Sequence, residues 1–104
     1  MFKIESEYND LDKYQYNDEN VLYCKKNIKI LHNPYGPAMI NVYKNTVYYY
    51  IEGKLHRLDG PAIIYKKIGR EEYYINNKYL TKEEFEIHPE RLKYLGKEHL
   101  VCLI

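Results

Sequence analysis

Two short stretches gather the side chains that chemistry would use: His56-Arg57-Leu58-Asp59-Gly60-Pro61 and, earlier, His32-Asn33-Pro34-Tyr35-Gly36-Pro37. A histidine close to an aspartate could serve as an acid–base couple, supply two metal ligands, or simply shape a turn. The other reactive groups are sparse. Cys24 and Cys102 are the only thiols, and His32, His56, His88 and His99 the only imidazoles. None is arranged as C-x-x-C or H-x-x-x-H, the spacings that clamp a metal. A nucleophile would also need a base held by a third group, and no such triad spacing exists here. The expectation is therefore no catalytic residue, no metal site, no cofactor and no enzyme.

What positions these residues is a duplication. LHNPYGPAMINVYKNTVYYYIEGK, residues 31–54, aligns without a gap over LHRLDGPAIIYKKIGREEYYINNK, residues 55–78. Identity falls at Leu31/Leu55, His32/His56, Gly36/Gly60, Pro37/Pro61, Ala38/Ala62, Ile40/Ile64, Tyr49/Tyr73, Tyr50/Tyr74, Ile51/Ile75 and Lys54/Lys78. The carboxylate is not repeated, because Tyr35 stands where Asp59 does. A catalytic couple needs its carboxylate, whereas a turn needs its glycine and proline. His32, Gly36, Pro37, His56, Asp59, Gly60 and Pro61 are therefore read as structural turn residues, with Gly36 and Gly60 able to take positive φ.

Each unit reads as two strands, 37–42 with 46–52 and 61–66 with 71–76, joined through YKN and KIGR. EGK and NNK follow as polar turns. Alternation places Ala38, Ile40, Tyr49 and Ile51, with Ala62, Ile64, Tyr73 and Ile75, on one face, which is expected to be the core. Met39, Asn41, Tyr48, Tyr50, Ile63, Tyr65, Glu72 and Tyr74 fall on the other. Thr81-x-x-Glu84 is a capping box, so a helix should start there and carry Phe85 to the core. Pro89 should break it and open a second helix over 89–95, with Leu92 and Leu95 on one stripe and Gly96 as its stop. The apolar tail HLVCLI should pack. Residues 20–25 and 28–31 read as a further hairpin around KKN, and the acidic stretch 5–19 as a loop.

The chain of 104 residues suits one domain: an N-terminal segment 1–30, two tandem hairpins 31–78 and a helical cap 79–104. The expected fold class is mainly β, an antiparallel meander of tandem 24-residue β-hairpin repeats with short C-terminal helices. Net charge is +1, with 16 basic and 15 acidic residues, which argues against bulk electrostatic binding of nucleic acid. The N-terminal sequence lacks the apolar core of a signal peptide, no run is long enough to span a membrane, and two cysteines suit a reducing compartment. The expected location is intracellular, not secreted.

Tyrosine is the unusual residue, with 14 copies and no tryptophan. Tyr48, Tyr50, Tyr65 and Tyr74, rimmed by Lys66 and Lys67, form the candidate interface, since tyrosine joins a large contact area to a polar tip. GKLH at residues 53–56, followed by Gly60 and tyrosine-rich strands, resembles the MORN repeat of consecutive β-hairpins. LHRLDGPAIIY, EYYINNK and LTKEEF resemble more closely the HRxDGPA variant in proteins of giant DNA viruses and large phages. The resemblance spans residues 31–85. It implies a scaffold making protein or lipid contacts in a viral or phage accessory or virion-associated protein, present in host cytoplasm or virion. The expected function is a non-enzymatic protein–protein interaction module with a viral or host protein partner. Alternatives are a peripheral lipid-binding scaffold on a membrane surface and, less favoured, a sheet that stacks single-stranded nucleic acid. An unpaired sheet edge would also permit self-association.

Overall fold

A computed structural model describes residues 1–96. His99, Cys102 and the HLVCLI tail, expected to pack, lie outside the described residues. The chain runs β1 (Phe2–Ile4), β2 (Leu11–Tyr16), β3 (Asn20–Lys25), β4 (Met39–Asn41), β5 (Thr46–Tyr48), β6 (Tyr50–Ile51), β7 (Lys54–Leu55), β8 (Ile63–Tyr65), β9 (Arg70–Ile75), β10 (Lys78–Leu80), α1 (Lys82–Glu86) and α2 (Pro89–Tyr94). Eight strands make one antiparallel sheet in the order β1-β2-β3-β4-β5-β8-β9-β10, while β6 and β7 pair separately. The protein is mainly β, a meander with two short helices.

The turns explain the meander. β4 turns into β5, and β8 into β9, through four-residue loops whose last residues, Asn45 (φ 50°) and Gly69 (φ 66°), take the left-handed conformation. β6 turns into β7 over Glu52-Gly53, and β9 into β10 over Asn76-Asn77, with all four residues at positive φ. Two consecutive left-handed residues define the tight type I′ turn that matches strand twist.

Backbone bonds recur at the 24-residue step. Ala38 N–H donates to the Tyr48 carbonyl at 2.9 Å, and Ala62 N–H to that of Glu72 at 2.8 Å. Gly53 N–H donates to Leu31 O and Asn77 N–H to Leu55 O, both at 2.8 Å. Asn33 N–H reaches Tyr50 O at 3.0 Å and Arg57 N–H reaches Tyr74 O at 3.2 Å.

The glycines depart from expectation. Gly36 and Gly60 do not take positive φ; among glycines that conformation belongs to Gly53, Gly69 and Gly96. A Cβ at Gly60 would sit 2.8 Å from the Arg57 guanidinium carbon, so that side chain would have to shift to admit one. Gly36 faces nothing nearer than Asn33 Nδ2 at 4.0 Å.

The N-terminal third also departs. Residues 11–16, expected within a loop, form β2, which pairs with β1 on one side and β3 on the other. LDKYQY lacks a clean alternation, because Asp12, Lys13 and Gln15 interrupt its apolar residues within an acidic stretch. The expected hairpin of 20–25 with 28–31 reduces to one bridge, Cys24 to Leu31, because β3 pairs along its length with β2 and then β4. These strands extend the sheet at its edge rather than covering a face.

A single core face is not what forms. Directly opposed residues share a face, so the register groups Met39, Tyr48, Ile63 and Glu72 together, and Ile40, Val47, Ile64 and Glu71 on the opposite side. Ile63 is buried although it lies on the face expected to be outer, while Ile40 and Ile64 are only half-buried. Tyr49 breaks the strand between β5 and β6, which removes it and Ile51 from the regular ladder. Among the described residues no second eight-stranded sheet covers either face, and the principal dimensions are 49 × 31 × 19 Å. Ala38 and Ala62 are fully buried.

The helices cover one end of the face opposite Tyr48. Ile75, Leu80 and Phe85 form its core with Leu58 and Tyr73, and the Tyr73 and Phe85 rings lie 4.6 Å apart. Burying a phenylalanine stabilises by roughly 1.5–3 kcal/mol. The Thr81–Glu84 capping box starts α1, and Pro89 occupies the first turn of α2. His88 caps α2 by accepting from Glu90 N–H through Nδ1 at 3.2 Å. Leu92 is buried, but Leu95, expected beside it, is exposed because the helix ends at Tyr94.

Candidate interaction surface

The histidines of the two loops are turn braces. His32 Nδ1 accepts from Glu52 N–H at 2.9 Å, and His56 Nδ1 from Asn76 N–H at 3.0 Å. Each donor amide belongs to the first left-handed residue of a type I′ turn. An imidazole accepting at Nδ1 carries its proton, when neutral, on Nε2. To ligate a metal, either ring would have to surrender its brace or its proton. Among the described residues, no three His, Cys, Asp or Glu side chains gather as a metal site.

The neighbouring positions use different side chains to one end. Asn33 Nδ2 donates to Pro37 O at 2.9 Å, and Arg57 Nη1 to Pro61 O at 3.1 Å. Asn33 Oδ1 accepts from Tyr35 N–H, whereas Arg57 Nε donates to Asp59 Oδ1, both at 2.9 Å. Asp59 thus anchors Arg57 rather than activating His56. Alignment of the two units hides this equivalence, since asparagine and arginine look unrelated as letters.

Cys24 is buried, and burial first, then the charge of Asp12, push its thiol up and away from the nucleophilic thiolate. Asp12 itself is buried. Its carboxyl lies below the usual range, chiefly through the Asn27 N–H that donates to Oδ2 at 2.9 Å, assisted by Lys3 and Lys26. Lys3 Nζ is 3.1 Å from Oδ1 as an ion pair, without hydrogen-bond alignment.

The tyrosines are where the sheet becomes distinctive. Opposed pairs and alternation put Tyr48, Tyr65 and Tyr74 on one face, around buried Ile63. The same ladder continues to Tyr79, opposite Tyr74, and in the other direction to Tyr14, opposite Leu22, and Tyr16, opposite Asn20. Six tyrosines therefore occupy one side of the eight-stranded sheet. The three beyond the expected set were missed because β2 and β10 were not recognised as strands.

Tyr50 stands apart from this ladder in β6, but its phenol feels that of Tyr48. Burial first and Tyr48 second push the Tyr50 hydroxyl up. Burial, then Glu72, raise Tyr65 and Tyr74. These phenols stay protonated and neutral near pH 7. Glu72 holds the row in place: Arg70 Nε lies 2.9 Å from Oε2, and the Tyr74 hydroxyl donates weakly to Oε1 at 3.4 Å. The Tyr74 and Tyr79 rings meet edge-on at 5.5 Å.

Lys66 and Lys67 follow Tyr65 at the end of β8. They lie in the β8–β9 loop, where Lys66 N–H donates to Asn45 O at 3.1 Å and Lys67 sits 5.1 Å from the Tyr43 ring centre. Beside them, Val42, Tyr43 and Ile68 are 63%, 70% and 73% exposed, a second apolar feature at the hairpin tips.

Comparisons with protein-family profiles, with curated proteins and with solved structures return no match. Among the described residues, no helix is long and apolar enough to cross a membrane.

Proposed function

We propose that the chain is a non-enzymatic interaction module that takes a protein partner on the tyrosine face. The observation that carries this reading is the register aligning Tyr14, Tyr16, Tyr48, Tyr65, Tyr74 and Tyr79 across one side of a single-layer sheet. Such rings present large area with few rotatable bonds, and their hydroxyls supply hydrogen bonds at the rim. The half-buried state of Tyr48, Tyr65 and Tyr74 holds them ordered before any partner arrives, which lowers the entropic cost of binding. The sequence resemblance to repeat proteins of large DNA viruses and phages supports a viral or host partner and an accessory or virion-associated role.

The test is affinity capture with the purified chain, followed by mass spectrometry. A partner held by the native chain should be lost with Tyr48→Ser and Tyr74→Ser while circular dichroism shows the sheet intact. Retention of that partner by both variants removes the tyrosine face from the reading. Binding that collapses as salt rises would instead favour nucleic acid.

A second reading rests on the hairpin tips. Val42, Tyr43 and Ile68 project beside Lys44, Lys66 and Lys67, a pairing of apolar and cationic groups suited to an anionic membrane surface. Flotation with phosphatidylserine vesicles that depends on Ile68 and these lysines supports it; no flotation excludes it.

A further inference from the structure

Apart from the tyrosine face, a cleft of about 430 Å³ opens between the two histidine-bearing loops and α2. None of Tyr48, Tyr50, Tyr65 or Tyr74 lines it. Its walls carry three other tyrosine rings, Tyr35, Tyr49 and Tyr94, with Pro34 and Leu58 between them. Two of these rings are fixed in advance. Tyr35 stacks on Tyr8 with centroids 5.0 Å apart and donates from its hydroxyl to Asp10 at 2.7 Å. Tyr49 lies 4.0 Å from the Arg57 guanidinium.

The polar groups facing the cleft are selective. Arg57 and Asp59 form an ion pair at 2.9 Å, so their charges cancel. Asn33 is engaged at both ends of its amide. Among the described residues, the Tyr49 and Tyr94 hydroxyls and His56 Nε2 have no hydrogen-bond partner. His56 accepts at Nδ1, so its free nitrogen is a donor. The cleft thus offers preset rings, apolar Pro34, Ile51 and Leu58, free donors and a cancelled formal charge.

A polyproline II segment is the complement of that inventory. Its pyrrolidine rings pack between aromatic ridges, its carbonyls accept hydrogen bonds, and it has no amide hydrogen of its own to satisfy. We propose that this cleft binds an uncharged, proline-rich extended peptide, lodged between Tyr35, Tyr49 and Tyr94 and hydrogen-bonded by the Tyr49 and Tyr94 hydroxyls and His56 Nε2. This site goes beyond the tyrosine-face reading and is independent of it.

The probe is synthetic decaproline, titrated into the full chain and followed by NMR of the tyrosine rings and His56. A deca-alanine-based soluble peptide serves as control. Saturable shifts centred on Tyr35, Tyr49, Tyr94 and His56 are expected, almost unchanged between low and high salt. Tyr94→Ala and, separately, Tyr35→Ala should each weaken binding about tenfold, the size of an aromatic anchor. Tyr94 is exposed on α2, so its removal leaves the fold intact, and Tyr79→Ala on the other face should change nothing. Absence of saturation, equal shifts with the control peptide, or shifts confined to the tyrosine face would each overturn the proposal.

Discussion

At the residue scale, the two type I′ turns are each braced by an imidazole that accepts from a turn amide. His56 can brace Asn76 N–H only while its imidazole is neutral. Burial first holds its pKa below the ordinary value of 6.5, with Glu90 opposing and His88 reinforcing. A depressed value means that the unfolded chain binds the proton more readily. The stability from this brace is complete above pH 6.5 and is lost as pH falls through 6.5 toward the folded value. Denaturation midpoints should therefore drop on acidification across that window, and His56→Phe should flatten this part of the profile. Loss of the bond itself should cost about 1 kcal/mol at pH 7. Gly53 makes a second residue-scale case. Its φ is 77°, and a Cβ added there would lie 3.2 Å from the Ile30 methyl. Gly53→Ala should therefore destabilise by roughly 1–2 kcal/mol. Gly36→Ala, at a site of ordinary φ with open space, should fall within about 0.5 kcal/mol of the native chain. Urea titration of the pair measures both.

At the element scale, α1 is held by a cap and an anchor that act separately. Thr81→Ala removes the hydroxyl that accepts from Glu84 N–H at 3.1 Å and should cost about 1 kcal/mol. Phe85→Ala empties the centre of the Ile75–Leu80 cluster and should cost about 3 kcal/mol or more. Both are read from urea midpoints; equal small losses would mean that the helices are not docked as described. Thr81, Glu84, Phe85 and Pro89 made these helices legible in the sequence because capping is a local code. The hairpins from Met39 to Ile75 were legible for a similar reason, since Asn45, Gly53, Gly69 and Asn77 mark where the chain reverses. β2 was not, because Asp12, Lys13 and Gln15 interrupt its apolar pattern. The Asn27 amide and the Lys3 and Lys26 pairs, all supplied by tertiary structure, make a buried Asp12 acceptable. The tyrosine row was half legible. Alternation placed Tyr48, Tyr65 and Tyr74 together, but which face would be buried depended on what lay above the sheet, and no spacing in the chain encodes that.

At the scale of the whole molecule, a sheet whose neighbours in space are mostly neighbours in sequence has no interior layer to lock it as one block. Stability should grade along the strand order. Amide exchange should be slowest in β4, β5 and β8, at the middle of the strand order, and fastest in the edge strand β1, whose residues Phe2 and Lys3 are exposed. Protection of β1 equal to that of β5 would show that the sheet opens as one unit instead. Because closure of each hairpin spans few residues, folding should also be fast, within milliseconds, in stopped-flow tyrosine fluorescence.

The row Met39–Tyr48–Ile63–Glu72 carries a further lesson about how such a molecule can change over time. In a single layer, a side chain there meets mainly the residues to its left and right. A smaller group at Tyr48 can be compensated at Met39 or Ile63, or by the nearby Tyr50 and Tyr65, rather than from across a core. Viable descendants of this chain should accordingly drift by sideways exchange of bulk between adjacent strands.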